Sequence, residues 1–199
     1  VDGALGPQNL HRLPELLRAV AYPAGAADGP SGRPGFFADG PELSGESPGR
    51  RTRQHQAWVQ IMAGCTNFCA YCIVPYVRGP ERSRDPRAIL AEVSGLAAEG
   101  GREVTLLGQN VNAYGLDRRR AGHADAADLA ALLRLLDAEG GVSRLRFMTS
   151  HPKDLGDDLV AALAELPAVC EHIHLPLQSG SDAILAAMRR AYTAEAYLE

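Results

Sequence analysis

From Ala57 onward the chain repeats one unit: a short apolar run, a helix-period stripe, then a glycine or proline stop. The runs fall at 57–62, 103–107, 144–148 and 171–175. The first helix is signalled by Asp85-Pro86, an N-cap followed by proline at the first helical position. Ile89, Leu90, Val93, Leu96 and Ala97 form its buried stripe, and Gly100-Gly101 ends it. Leu129, Leu132, Leu133 and Leu136 mark the second helix, closed by Gly140-Gly141. The third spans 157–166 before Pro167, and the fourth opens at Ser181 with Ile184, Leu185 and Met188 inward. Four βα units in succession require a parallel sheet with helices outside it. Right-handed crossovers then bring every strand-to-helix loop to one end of the sheet, where ligands gather. Those loops, 65–72, 108–114, 149–152 and 176–181, are unusually polar and should converge on one mouth.

The first loop carries Cys65, Cys69 and Cys72 in the string C-T-N-F-C-A-Y-C. Three thiolates this close in sequence can grip three corners of a cubane iron–sulfur cluster and leave its fourth iron without a protein ligand. A structural zinc site needs four ligands, and no second Cys or His pair follows at a zinc-ribbon or finger spacing. The fourth cysteine, Cys170, lies far away in V-C-E-H-I-H-L and reads as a small buried strand residue, with His174 inward beside it. Four cysteines in 199 residues are too few for a secreted disulfide scaffold.

A hydrophobic fraction of 46% is enough for one sizeable core, and no apolar stretch approaches membrane-spanning length. Exposed cluster-binding thiols point to the reducing cytoplasm. The net charge of −4 does not mark the whole chain as a nucleic-acid binder, but its distribution is uneven. Between Arg50 and Arg87 there are seven arginines (Arg50, Arg51, Arg53, Arg78, Arg82, Arg84 and Arg87) against Glu81 and Asp85, a surplus of +5 around the cysteine loop. Such a rim suits a polyanion such as RNA; solvated loop arginines are the competing reading. The run Arg118-Arg119-Arg120 and the lone Lys153 carry no assignment beyond general electrostatics.

Taken together the motifs C-T-N-F-C-A-Y-C-I-V-P-Y-V-R-G, L-L-G-Q-N-V-N-A-Y, R-F-M-T-S-H-P and H-L-P-L-Q-S-G-S resemble those of the MiaB-type tRNA methylthiotransferases, a branch of the radical S-adenosylmethionine (SAM) enzymes. The resemblance runs from about Trp58 to Tyr197, and G-P-Q-N-L-H-R-L-P-E-L looks like the end of the family's N-terminal domain. It implies an α/β fold, a partial radical SAM (βα) barrel of four units. Residues 1–21 would be the tail of an N-terminal methylthiotransferase domain, 22–56 a Gly-, Pro- and Ser-rich linker, and 57–199 the truncated core. It further implies a [4Fe–4S] cluster on Cys65, Cys69 and Cys72 with exchangeable SAM, and a second, auxiliary [4Fe–4S] cluster in the N-terminal domain. The implied reaction puts a methylthio group on C2 of N6-isopentenyl-adenosine beside the tRNA anticodon, after hydrogen abstraction by a 5′-deoxyadenosyl radical. The implied partners are tRNA and an electron donor such as flavodoxin or ferredoxin, with no membrane. A fragment of this extent is expected not to complete methylthiolation alone.

The resemblance and the residue chemistry together nominate the remaining site positions. Tyr71 would flank the adenine of SAM or else pack under the loop. Gln109, Asn110 and Asn112 offer amides to SAM's amino-acid group or the target base, or satisfy their own turn. Ser150 and His151 would orient SAM or substrate, or merely end a strand. Gln178 and Ser179 would meet the nucleoside or ribose, while Ser181 is a helix cap. Arg78, Arg82 and Arg84 would meet tRNA phosphates. Two other readings use the same residues: a ribosomal-protein aspartate methylthiotransferase, which should differ at G-Q-N-V-N and T-S-H-P, and a zinc-stabilised RNA-binding module.

Overall fold

The computed structural model describes Ala4–Leu5, 12–21, Gly35–Phe36, 55–124 and 126–199. Ahead of the core, strand β1 (Ala4–Leu5) pairs in parallel with β2 (Gly35–Phe36), and helix α1 (Leu13–Ala21) lies between them in sequence. The stretch read as a linker therefore contributes two residues to a ladder; the rest of it up to Gln54, including Arg50, Arg51 and Arg53, lies outside the described residues.

The core is a parallel sheet of β3 (Gln56–Gln60), then β6 (Glu103–Leu107), then β7 (Arg144–Phe147), in sequential order. Between the first two lie β4 (Met62–Ala63), α2 (Val74–Arg78), β5 (Arg82–Ser83) and α3 (Pro86–Ala98). Sequential parallel order is what a stretch of barrel wall requires, and no reversal occurs among these three strands. Register places Ala57, Val104 and Leu145 in one row and Val59, Leu106 and Phe147 in the next, all buried. Side chains alternate across a strand, so these rows form one face. Against it pack Ile89, Val93 and Leu96 of α3 and Leu129, Leu132, Leu133 and Leu136 of α5 (Leu129–Glu139), preceded in sequence by the short α4 (Leu116–Arg120). On the opposite face stand Trp58, 77% exposed, Thr105 and Arg146, with Glu103 paired to Arg144 and Arg146. One face is thus the core, and the other is a polar inner wall.

Local signals act as expected on chemical grounds. The Asp85 carboxylate accepts from the backbone N–H of Arg87 and Ala88, capping α3, and Asp128 accepts from Ala131 N, capping α5. Helix α6 (Asp157–Glu165) stops two residues before Pro167. Ser181 occupies the cap position of α7 (Asp182–Ala187) in extended geometry, but its side chain makes no capping bond. The fourth strand is also a departure. Val169 bridges Leu145, Leu145 N donates to Ala168 O, and Cys170 N donates to Leu145 O at 2.9 Å, but no ladder continues through 171–175. Strand β7 ends at Phe147 and the chain turns at Thr149, whose φ is 68°, so the fourth segment meets no regular edge beyond Cys170. Cys170 is half-buried and His174 exposed, not the inward pair that the alternation suggests.

The first strand likewise does not run straight into the cysteine loop. Ile61 N donates to Leu107 O, but Ile61 O accepts from Arg84 N, both at 2.9 Å. At this residue the chain leaves the parallel sheet, and β4 pairs antiparallel with β5, Met62 opposite Ser83 and Ala63 opposite Arg82. The chain ends in α8 (Ala194–Leu198), and no helix among the described residues is long and apolar enough to cross a membrane. Leu133 is fully buried between sheet and helices, so Leu133→Ala should lower unfolding free energy by about 2–5 kcal/mol. Urea denaturation followed by circular dichroism measures this, and a loss under about 1 kcal/mol would contradict the packing described.

Candidate active site

The β4–β5 pair forms the neck of the cysteine loop. Just above it Cys65 N donates to Gly79 O at 3.1 Å. The buried Glu81 carboxylate accepts from Thr66 N at 3.3 Å and from Thr66 Oγ1 at 2.9 Å. Gly64 has a φ of 80°, and a Cβ there would stand 1.9 Å from Pro80 O, so only glycine fits. Within the loop Cys72 N donates to Cys69 O at 2.9 Å, and Phe68 takes a left-handed turn with φ 38°.

Three other loops are laced to this one. Gln109 Oε1 accepts from Gly64 N at 2.6 Å, tying the loop after β6 to the neck. Val111 N donates to Thr149 O at 3.0 Å, and Thr149 Oγ1 donates to Gly108 O at 2.6 Å. Asn112 Nδ2 donates to His151 O at 2.8 Å and its Oδ1 accepts from His151 N at 2.9 Å, a reciprocal pair that fixes the amide's orientation. Asn110 Nδ2 donates to Asp154 Oδ2 at 2.7 Å. From the far end of the chain, Met188 O accepts from Ala70 N at 3.1 Å. The buried Arg190 donates through Nη1 to Cys69 Sγ at 3.4 Å and to Tyr71 Oη at 3.3 Å. Tyr192 Oη accepts from Arg190 Nε at 3.2 Å and donates to Leu177 O at 2.6 Å.

The mouth so assembled contains buried polar atoms without partners: Asn110 Oδ1, Ser150 Oγ, His151 Nε2 and Arg190 Nη2. Orphaned buried groups are rare in folded proteins, and a water, an ion or a bound ligand is what commonly satisfies them. All four cysteines are free thiols; Cys65 and Cys69 are buried and Cys72 half-buried. Burial pushes the Cys65 thiol upward. A backbone hydrogen bond at Asn67 opposes that shift, while the charges of Glu81, Cys69 and Cys72 add to it. The three thiols, held in one loop, therefore sense one another. A polynuclear cluster, which takes each thiolate on a separate iron, fits that donor set.

Residues 59–199 match the family model described as the radical SAM superfamily. The chain belongs to the radical SAM superfamily. Along its whole length it is 49% identical over 199 residues to the tRNA-2-methylthio-N(6)-dimethylallyladenosine synthase of Pelotomaculum thermopropionicum, covering 42% of that protein. It is 48% identical over 198 residues to the synthase of the same name from Geotalea uraniireducens, covering 43% of it. The chain thus spans about two fifths of the length of the curated relatives it matches. Among solved structures it is similar to the radical S-adenosylmethionine methyltransferase TsrM from Kitasatospora setae, a structure with cobalamin and a [4Fe-4S] cluster bound. The TM-score is 0.54 at 19% identity, over 71% of this chain and 27% of that one, a likeness of fold.

Within this radical SAM core the nominated residues divide by position. Tyr71 is 55% exposed at the mouth, its hydroxyl held by Arg190; burial raises its pKa, Arg190 opposes that, and Cys69 and Cys72 reinforce it. Asn110 and Ser150 are buried, each with one free polar atom. Gln109 has its acceptor engaged on Gly64, so the amide read as a ligand contact is a strut of the loop. Gln178 is exposed with φ 71°, and Ser179 Oγ accepts from Ser181 N. Of the basic residues, Arg78 is exposed and Arg82 half-buried. Arg84 departs from the phosphate-contact expectation: it donates to Gln60 O at 2.5 Å and pairs with Glu92 at 2.8 Å, its side chain only 11% exposed. Arg118 and Arg119 are likewise paired, with Asp85 and Asp128.

Arg190, Tyr192, Glu81 and Thr66 are site residues that the sequence reading did not nominate. Glu81 is one of two acids in an arginine-rich stretch, a signal that was available; Arg190 carried none, because its partners in the cysteine loop, Cys69 and Tyr71, lie more than a hundred residues away. His151 is buried, with its ring edge-to-face on Tyr192 at 5.7 Å, and its Nδ1 accepts from Lys153 N at 3.3 Å. Burial first, then the charge of Arg190, lowers its pKa from 6.5 to about 4, while Asp154 pulls the other way.

Two outcomes follow from this geometry. Gly64→Ala should cost about 1–3 kcal/mol from backbone conformation alone, read as a lower urea midpoint, with weaker iron retention on reconstitution. For His151 the unfolded chain binds the extra proton first, so stability rises with pH between about 4 and 6.5 and is lost on acidification through that window. Melting temperature measured across it should fall toward acid, and His151→Gln should flatten the slope. An unchanged slope would place the acid sensitivity elsewhere.

Proposed function

We propose that this chain is the core of a radical SAM methylthiotransferase acting on tRNA. In this reading it adds a methylthio group to C2 of N6-isopentenyl-adenosine at position 37, next to the anticodon. The observation that carries the reading is 46–49% identity along the whole chain to synthases whose name states that product. A three-thiol loop at the carboxyl end of a parallel sheet supports it independently.

Cys65, Cys69 and Cys72 would hold a [4Fe–4S] cluster with one iron left for SAM, and when bound the cluster supplies the single electron for reductive cleavage of SAM. The protein's own part is to hold and screen. Asn110 Oδ1 and Ser150 Oγ, buried and unpartnered, are the groups we assign to SAM's polar end, and the exposed ring of Tyr71 to its adenine face. Gln178 is assigned to the nucleoside side of the mouth, and Gln109 serves the cofactor by fixing Gly64. His151, kept neutral above about pH 4, offers a polar edge without adding charge. Arg78 and Arg82 would meet tRNA phosphates, a sequence-independent contact that salt weakens. Sulfur would come from an auxiliary [4Fe–4S] cluster outside the described residues. The electron would come from a flavodoxin or ferredoxin in a reducing cytoplasm, the setting such thiols suit.

Anaerobic reconstitution with iron and sulfide should load about four irons per chain, and SAM should perturb the paramagnetic resonance spectrum of the reduced protein. Cys69→Ala should abolish both. One tightly bound zinc per chain, or a spectrum indifferent to SAM, would overturn the reading.

A further inference from the structure

We propose that Arg190 is a positioning residue that sets the reduction potential of the cluster held by the cysteine loop, acting through Cys69. The inference rests on the cluster reading above. It starts from a long-range contact: an arginine only 4% exposed, whose guanidinium donates to one of the three candidate ligand sulfurs at 3.4 Å. A buried arginine without a carboxylate is costly, and among the described residues no acid is paired with this one. Its recorded contacts are a thiol, two phenol oxygens and the face of the Tyr192 ring, 5.3 Å from the guanidinium carbon. No full negative charge is among them, and Nη2 is buried with no partner. The cation therefore lacks the anion that would justify its burial, and a thiolate-ligated cluster at Cys69 supplies it.

The placement is rigid. Arg190 N donates to Leu185 O at 2.9 Å, Arg189 takes a left-handed turn with φ 57°, and Met188 O receives Ala70 N. The end of α7 thus grips the cysteine loop through backbone before the side chain reaches Cys69. Reduction by a one-electron donor adds one negative charge to the cluster and breaks no bond. A fixed cation with a hydrogen bond to a ligand sulfur favours the form bearing that extra charge and so raises the potential. At the other end of the loop, Glu81 places a negative charge toward Cys65, so the loop is charged oppositely at its two ends.

The test is a redox titration followed by paramagnetic resonance, on protein reconstituted with iron and sulfide, comparing the parent with Arg190→Gln, Arg190→Lys and Tyr192→Phe. Iron content is measured alongside. Arg190→Gln should lower the reduced-to-oxidised ratio at a fixed potential about tenfold, a downward shift of about 59 mV for one electron. Arg190→Lys, which keeps the charge, should recover most of it. Tyr192→Phe removes the hydroxyl that holds Arg190 Nε and should shift the potential the same way by about threefold; it decides the matter if Arg190→Gln fails to load iron. An unchanged potential in a loaded Arg190→Gln, or failing that in Tyr192→Phe, overturns the inference while leaving the cluster reading intact. A parent protein that binds no cluster overturns both.

Discussion

The site depends on a change of partner at Ile61. Up to that residue the first strand belongs to the parallel sheet, and its last bond to that sheet is Ile61 N to Leu107 O. From its carbonyl onward the chain pairs instead with β5, which returns from the far side of the cysteine loop. The apolar rows of the sheet anchor one side of this switch, and a two-residue ladder closes the other. Arg84 stabilises the corner from both ends. Its backbone N–H meets Ile61 O, while its guanidinium reaches Gln60 O and the Glu92 carboxylate. A residue that looks from the sequence like part of a basic rim is a bracket for the strand that presents the thiols.

The division between the two faces of the sheet explains how little of the molecule is free to do chemistry. Helices α3, α5 and α6 pack on one side, and that side supplies the core. The other side carries Glu103 bridged to Arg144 and Arg146, with Gln56 Nε2 also donating to Glu103. Polar ends remain available only where the strands stop, in the loops. There they bind first to one another, through Gln109, Asn112, Thr149 and Arg190, and leave Asn110 Oδ1, Ser150 Oγ, His151 Nε2 and Arg190 Nη2 buried without partners.

Much of the scaffold was legible because it rests on local rules. Asp85-Pro86 caps its helix as its chemistry dictates, and the short apolar runs fix three strands. The thiol trio is legible because its members are near in sequence. The alternation in V-C-E-H-I-H-L predicts a fourth strand, but only Val169 and Cys170 find β7, because the turn at Thr149 withdraws the edge they would follow. Asparagine and glutamine side chains read as ligand contacts proved partly to be struts, since nothing in an amide's position along the chain says whether a backbone group lies within reach. Arg190 was illegible for the opposite reason: everything it touches apart from Tyr192 is brought there by the fold.

The narrow neck has a consequence for how this protein comes apart. The β4–β5 ladder, the Cys65–Gly79 bond, the Thr66–Glu81 pair and the Gln109 strut hold the base of the thiol loop, largely through polar contacts, while most of the apolar core lies under the sheet. Stability in folded chains is graded by such boundaries, and segments with few apolar contacts open first. Oxygen damage that empties the loop would therefore leave an intact, helix-rich body that looks healthy by bulk spectroscopy. Recovery would then be a matter of refilling a locally open loop rather than refolding a chain.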